Sequence, residues 1–267
     1  MTAPKLSLFL FTTDCGLARH AVAAGIDGAV VDWEQAGKRS RQDGFDTEIN
    51  ADSPEDLGRL TAAGIPRRLC RVNAFGPQLA AEVESALANG ATDVLLPMVT
   101  SAAEVTALLR QVDGRGRTGI LVETREACAH AAELAALAVD FVYVGLNDLA
   151  ISRRSASIFT AVADGTVERL RSVFVTQAFG FGGLTVLDGG TPIPCARLLE
   201  EMARLACDFT FLRRSFKREI VARDMGAEVA RLRDRFAALG RRDPGERDRD
   251  RGALLAAIQR AEVARSA

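Results

Sequence analysis

From Leu6 almost to its end, the chain alternates apolar, β-branched runs with amphipathic segments rich in Ala, Leu, Arg and Glu. A two-residue period marks half-buried strands and a 3.6-residue period marks helices, so repeated alternation predicts a parallel sheet covered by helices. The strand readings are Leu6–Phe11, Gly28–Glu34, Arg67–Asn73, Asp93–Met98, Thr118–Glu123, Phe141–Gly145, Gly182–Leu187 and Phe209–Leu212. Between them lie helical readings such as Gly16–Ala24, Gln78–Ala88, Ser101–Val112, Glu126–Leu137, Thr166–Phe174, Cys195–Ala206 and Lys217–Leu239. One more helix starts at Ser53-Pro-Glu-Asp, with Ser as cap, Pro in the first turn and acids at the positive end of the dipole.

Eight βα units in 267 residues predict an α/β fold, a (β/α)8 TIM barrel over residues 1–240. A doubly wound sheet is the alternative, but it seldom keeps this order eight times without a nucleotide loop. The charged run Arg241–Arg251 reads as a solvated linker. A terminal helix, Ala253–Ala264, follows it and is expected to pack on the barrel or on a neighbouring subunit.

A formal net charge of −1 gives no reason to expect nucleic acid or a membrane surface as partner. No apolar run is long enough to span a bilayer, and Met1–Lys5 leads straight into a strand without a visible signal peptide. Five scattered cysteines, with no C-x-x-C pair, read as thiols of a reducing cytoplasm.

In a barrel, chemistry collects at the C-terminal ends of the strands. Strand two ends with Asp32 and Glu34 on one face, and strand three with Arg71 and Asn73 on one face. Strand five ends at Glu123 and strand six runs into Asp148. Two acids ending consecutive strands around one helix point toward a shared ligand, and a hard divalent cation suits them best. Strand seven is expected to end at Asp188, a turn residue beside Gly189-Gly190, and strand eight at Arg213-Arg214-Ser215.

The missing residue types narrow the chemistry further. A Schiff-base aldolase needs a buried strand lysine, and Lys5, Lys38 and Lys217 all fall outside the strand readings. His20 and His130 fall in helices, which argues against a His base, a Ser-His-Asp triad or a His-rich zinc site. The glycines of Gly180–Leu184 lack the strand–loop–helix order of a nucleotide motif. Metal-assisted chemistry run by carboxylates and an Arg remains.

Val30–Glu34, Arg71-Val-Asn73, Gly90–Pro97, Val122-Glu-Thr-Arg-Glu-Ala127 and Gly145-Leu-Asn-Asp-Leu-Ala150 occur in that order. Together they resemble the HpcH/HpaI aldolase and citrate lyase β-subunit superfamily of phosphoenolpyruvate/pyruvate-binding barrels, well over roughly residues 5–150 and loosely beyond. The resemblance implies that Glu123 and Asp148 coordinate Mg2+, or Mn2+ or Co2+. It implies that Arg71 holds a substrate carboxylate or enolate oxygen, and that the N–H groups of Gly145, Leu146 and Asn147 receive a carboxylate. Asp32 and Glu34 would order metal-bound waters, and the protein is expected to form a homo-oligomer, a trimer or hexamer. The chain departs from both branches of the family. Gln35 stands where the aldolases often carry His and Leu121 where they carry Gln, while Met98 stands where citrate-lyase-like proteins carry Lys.

The first expectation is a lyase or aldolase acting on a small 2-oxo acid such as pyruvate or oxaloacetate, with an aldehyde or ketone partner. The alternative is a CoA-thioester lyase or synthase, in which Arg213, Arg214 and Ser152-Arg153-Arg154 meet CoA phosphates. A non-catalytic subunit role is the third reading. The proton is expected to move through a metal-bound water, Glu34 or a residue of an adjoining subunit.

Overall fold

The computed structural model describes residues 5–35 and 52–266; Met1–Pro4 and Lys38 of the sequence reading lie outside them. Eight parallel strands form one sheet in the order β7-β6-β5-β4-β3-β2-β1-β8. They are β1 (Ser7–Phe11), β2 (Gly28–Asp32), β3 (Arg68–Arg71), β4 (Asp93–Leu96), β5 (Arg117–Val122), β6 (Phe141–Val144), β7 (Ala178–Phe181) and β8 (Phe209–Leu212). Consecutive strands are neighbours and β1 pairs with both β2 and β8, which curls the sheet into the expected barrel. The β7–β8 seam closes through Asp208 N–H to Phe179 O at 2.8 Å, Arg213 N–H to Leu184 O at 2.7 Å and one bridge, Leu184 to Leu212.

Strand alternation sorts the core into two parts. Outward residues such as Leu8, Leu10, Val31, Cys70, Val94, Val122 and Val142 meet the surrounding helices. Inward residues Phe9, Val30, Leu69, Leu95, Leu121, Phe141, Tyr143, Phe209 and Phe211 fill the barrel itself. Below them Arg67 bonds Asp93 and lies 4.6 Å from the Phe9 ring centroid, so the floor charge is paired. The top of this plug is aromatic: the Phe211 ring lies 4.2 Å from Tyr143 and 5.4 Å from Phe11. Large aromatics exclude water from the interior and leave the mouth as the place for polar groups.

Helix starts follow local chemistry. Ser53 caps Pro54–Ala62 in a reciprocal capping box with Asp56, as its sequence predicts. Asp14 and Asp224 cap Cys15–Ala23 and Met225–Leu239 through side-chain bonds to Leu17 and Ala227.

The structure corrects four elements. β7 is Ala178–Phe181, not Gly182–Leu187. A Cβ on Gly180 would lie 2.3 Å from Phe209 O, so this strand needs glycine to approach β8, and its composition hides it. The helix read as Lys217–Leu239 is two, Arg214–Glu219 and Met225–Leu239, broken where Asp224 caps the second. Glu126–Leu137 likewise splits into Arg125–Ala129 and Ala131–Ala135 at His130.

The fourth correction concerns the charged run. A helix covers Pro244–Ser266, so most of Arg241–Arg251 is helical. Asp243 and Glu246 exchange bonds of 2.8 and 2.9 Å from each other's N–H, and Pro244 opens the first turn. Its charges face the barrel as well as solvent: Arg251 bonds Glu201 and Val162 O, and Arg242 bonds Glu200 O and Asp250. Among the described residues, no helix is long and apolar enough to cross a membrane.

Candidate functional site

On the β2–β3 side of the mouth, Asp32 stands in register with Arg71, and both side chains turn inward. Arg71 Nε donates to Asp32 Oδ1 at 2.8 Å and Nη2 to Oδ2 at 2.7 Å, a bidentate pair. Nη1 lies 3.2 Å from Glu34 Oε2. Burial opposes the Arg71 charge, but Asp32, Glu34 and Glu123 outweigh it and hold its pKa above the ordinary arginine value. Asp32 and Glu34 are both 0% exposed. Asp32 N–H donates to Asp52 Oδ2 at 2.8 Å and Glu34 N–H to Asp32 Oδ1 at 3.2 Å, so the turn after β2 is itself built on these acids.

Asn73 braces the neighbouring turn. Its Oδ1 accepts the Gln35 N–H at 2.9 Å, and its Nδ2 donates to Glu82 at 2.7 Å. Gln35 is exposed beside these groups. The guanidinium of Arg71 also lies 5.4 Å from the Phe11 ring centroid, which puts the aromatic floor directly beside the cation. Phe11 and Asp52 are members of this site that sequence reasoning did not single out. Strand periodicity alone could have placed Phe11, two residues after the inward Phe9.

On the β5–β6 side, Glu123 follows the Val122–Val144 pair and comes opposite Gly145. A Cβ on Gly145 would lie 2.2 Å from Glu123 Oε2, so glycine makes room for the carboxylate. Glu123 Oε1 accepts the Met98 N–H at 2.9 Å, and Met98 takes φ 54 to deliver it. Met98 thus serves through its backbone at the position where the citrate-lyase branch carries Lys. Thr124 ties this turn down: its hydroxyl donates to Val99 O at 2.6 Å and caps the helix Arg125–Ala129.

After β6 comes a helix that the sequence periodicity leaves unassigned, Leu146–Arg153, with Asp148 in its first turn. Glu123 is 2% exposed and Asp148 7%. Burial pushes the Glu123 carboxyl well above its ordinary range, and the charges of Asp148 and Glu34 push it the same way. Arg71 and the Met98 N–H act in the opposite sense. The Gly145 N–H donates to Val122 O at 3.3 Å, which narrows the anion-binding expectation to Leu146 and Asn147 in the helix's first turn.

The residues present fit a hard divalent cation. A buried carboxylate whose proton affinity is raised by burial and by a second carboxylate beside it favours a cation between the two. Among the described residues, no three His, Cys, Asp or Glu side chains form a closed metal-holding group. Two carboxylates with water and substrate oxygens are the usual complement for Mg2+.

The remaining candidates scatter. Asp188 lies past the true β7 and pairs with Arg223 at 2.8 Å. Arg153 is tied to Asp164 and Thr166, away from the strand ends. His20 is exposed on its helix and His130 lies 3.4 Å from Glu133. Lys217 is the exception: on the helix after β8, its charge reaches Asp52 beside the mouth.

The comparisons with known proteins agree with this barrel. The chain aligns over 82% of its length with citrate synthase SbnG at 18% identity and TM-score 0.59, covering 91% of that protein. It aligns over 89% of its length with the citrate lyase β subunit from M. tuberculosis, whose structure holds oxaloacetate and magnesium, at 22% identity and TM-score 0.54, covering 98% of that chain. Tryptophan synthase from M. tuberculosis reaches TM-score 0.58 at 16% identity, over 90% of this chain and 95% of its own, so these likenesses show the fold and do not choose the chemistry. No curated protein matches the chain in sequence. The profile of the HpcH/HpaI aldolase/citrate lyase family matches residues 5–164, a span that holds Asp32, Glu34, Arg71, Glu123 and Asp148, and the chain belongs to that family.

Proposed function

We propose that the protein is a divalent-metal-dependent carbon–carbon lyase or aldolase that works through the enolate of a small 2-oxo acid. The observation that carries this reading is the buried Glu123–Asp148 carboxylate pair facing an Arg71 already gripped by Asp32. Membership of a lyase family supports the general class, and the magnesium and oxaloacetate of the citrate lyase β subunit are in keeping with it.

Glu123 and Asp148 would hold the cation, Mg2+ or a similar ion. A cation there supplies Lewis acidity to the carboxylate and carbonyl oxygens of a 2-oxo acid. Arg71 presents a fixed positive charge where negative charge develops on the substrate oxygen, an effect worth about 3–4 kcal/mol in comparable sites. Asp32 keeps that guanidinium from turning away, so no reorganisation is needed during the reaction. The N–H groups of Leu146 and Asn147 receive the substrate carboxylate at the positive end of their helix. Glu34, buried at 3.2 Å from Arg71, is the carboxylate positioned to exchange the proton. Phe11 and Phe211 keep water off the floor beneath the substrate.

The test is turnover of pyruvate or oxaloacetate with aldehyde acceptors, with Mg2+ and with chelator. Activity should need the cation and vanish in Glu123→Gln, and borohydride with pyruvate should give no lysine adduct. Equal turnover with chelator, or a trapped lysine, contradicts the proposal.

A further inference from the structure

Arg213 ends β8 two residues after Phe211 and four after Phe209, both of which fill the barrel interior, so it leaves the strand on the inward face. Its Nε donates to Gly183 O at 2.8 Å, and its guanidinium carbon lies 5.9 Å from the Phe159 ring centroid. Those contacts orient the group without neutralising it. The terminal nitrogens have no hydrogen-bond partner and no carboxylate within 4 Å among the described residues. They are not sealed in either, because the side chain keeps partial exposure. Burial lowers the Arg213 pKa, and Cys195, Tyr143 and the more distant carboxylate of Glu219 act in the opposite sense.

The other inward arginines are treated differently. Arg67 bonds Asp93 on the floor, and Arg71 bonds Asp32 at the mouth. A half-buried guanidinium with no carboxylate in direct contact is completed when an anion pairs with it. Phe11 lies beside Arg71, its ring is 5.4 Å from that of Phe211, and Arg213 follows Phe211 by two residues at the end of β8. β7 stands between β8, which leads to Arg213, and β6, which leads to Asp148, so Arg213 belongs to a different side of the mouth from the Glu123–Asp148 pair.

We propose that Arg213 binds a second anionic group of the substrate, remote from the reacting carbons, so that the site selects a 2-oxo acid carrying a distal carboxylate over pyruvate. This rests on the reading that Glu123, Asp148 and Arg71 take the 2-oxo-carboxylate end. The same guanidinium chemistry would suit a phosphate of a CoA thioester, and the test separates the two sources. The specificity lies in charge pairing, since pyruvate leaves the arginine incomplete and the longer diacid completes it.

Titration calorimetry with Mg2+ present would compare pyruvate, oxaloacetate, 2-oxoglutarate and CoA on the wild type, Arg213→Gln and Arg213→Lys. The wild type should bind at least one diacid about tenfold or more tighter than pyruvate, a typical gain for one charge-assisted pair. Arg213→Gln should lose that preference while pyruvate affinity stays unchanged, and Arg213→Lys should keep part of it, with melting curves confirming that both variants fold. Loss of CoA binding in Arg213→Gln with diacid binding intact would assign the anion to CoA and overturn the diacid selection. Unchanged binding of every ligand in both variants overturns the anion site while leaving the Glu123–Asp148 reading standing. A wild type that binds neither pyruvate nor a diacid overturns both.

Discussion

On the β2–β3 wall of the mouth, Arg71 lies between Asp32 and Glu34, and opposite charges complete one another. On the β5–β6 wall, Glu123 and Asp148 are buried with like charge, and the charge of Asp148 makes Glu123 harder to ionise. Both walls are built where adjacent parallel strands end, from their last residues and the turns or helix that follow, so the strand scaffold is not what separates them. The first wall is finished by the chain and arrives preorganised. The second is electrostatically unfinished, which is the condition for holding a cation.

The largest expected effect tests the finished wall. Asp32→Ala should strand a buried guanidinium and cost about 3–5 kcal/mol of folding stability, measured by urea denaturation. Glu123→Gln, without added metal at pH 8, should instead raise the denaturation midpoint, because it removes a buried charge while an amide oxygen can still accept the Met98 N–H. Losses of similar size in both variants would erase the contrast between the walls.

Next in size, Arg71→Lys should lower kcat/KM about 100-fold, since a lysine cannot keep the bidentate grip on Asp32 and still face the substrate. Steady-state kinetics with saturating Mg2+ reads this directly, and a retained specificity constant would remove Arg71 from the chemistry. A smaller effect is expected from Gly145→Ala, whose Cβ would lie 2.2 Å from Glu123 Oε2. Displacing that carboxylate should weaken Mn2+ binding about tenfold, in line with changes that misorient a metal ligand. The smallest effect concerns reactivity away from the mouth. Burial pushes the thiols of Cys70 and Cys207 well up and that of Cys195 to about 11, whereas Cys15 and Cys128 are half-exposed. A colourimetric thiol reagent at pH 8 should therefore reach at most two of the five cysteines before unfolding, without changing activity.

Much of the mouth was legible in the sequence because strand periodicity fixes which residues turn inward. Asp32, Arg71 and Glu123 follow from counting by two along apolar runs. What escaped that counting depended on contacts distant in sequence. β7 was misplaced because Leu184-Thr-Val-Leu187 is richer in strand formers than Ala178–Phe181, whose Gly180 is needed for packing on Phe209. The helix Leu146–Arg153 escapes the periodicity because Asn147 and Asp148, weak helix formers, open its first turn. The charged tail was read as a linker because its arginines look solvated. Their partners Glu200 and Glu201 lie on Cys195–Arg204, roughly forty to fifty residues earlier in the chain. Its start was nonetheless written locally, in the Asp243-Pro-Gly-Glu246 capping box.

The central claim is that the β5–β6 wall holds one divalent cation between Glu123 and Asp148. Titrating Mn2+ into the wild type, Glu123→Gln and Asp148→Asn, followed by water-proton relaxation at neutral pH, tests it most directly. The account predicts one bound ion per chain in the wild type and at least tenfold weaker binding, about 1.4 kcal/mol or more, in each variant. Equal affinity and stoichiometry in all three proteins would contradict it.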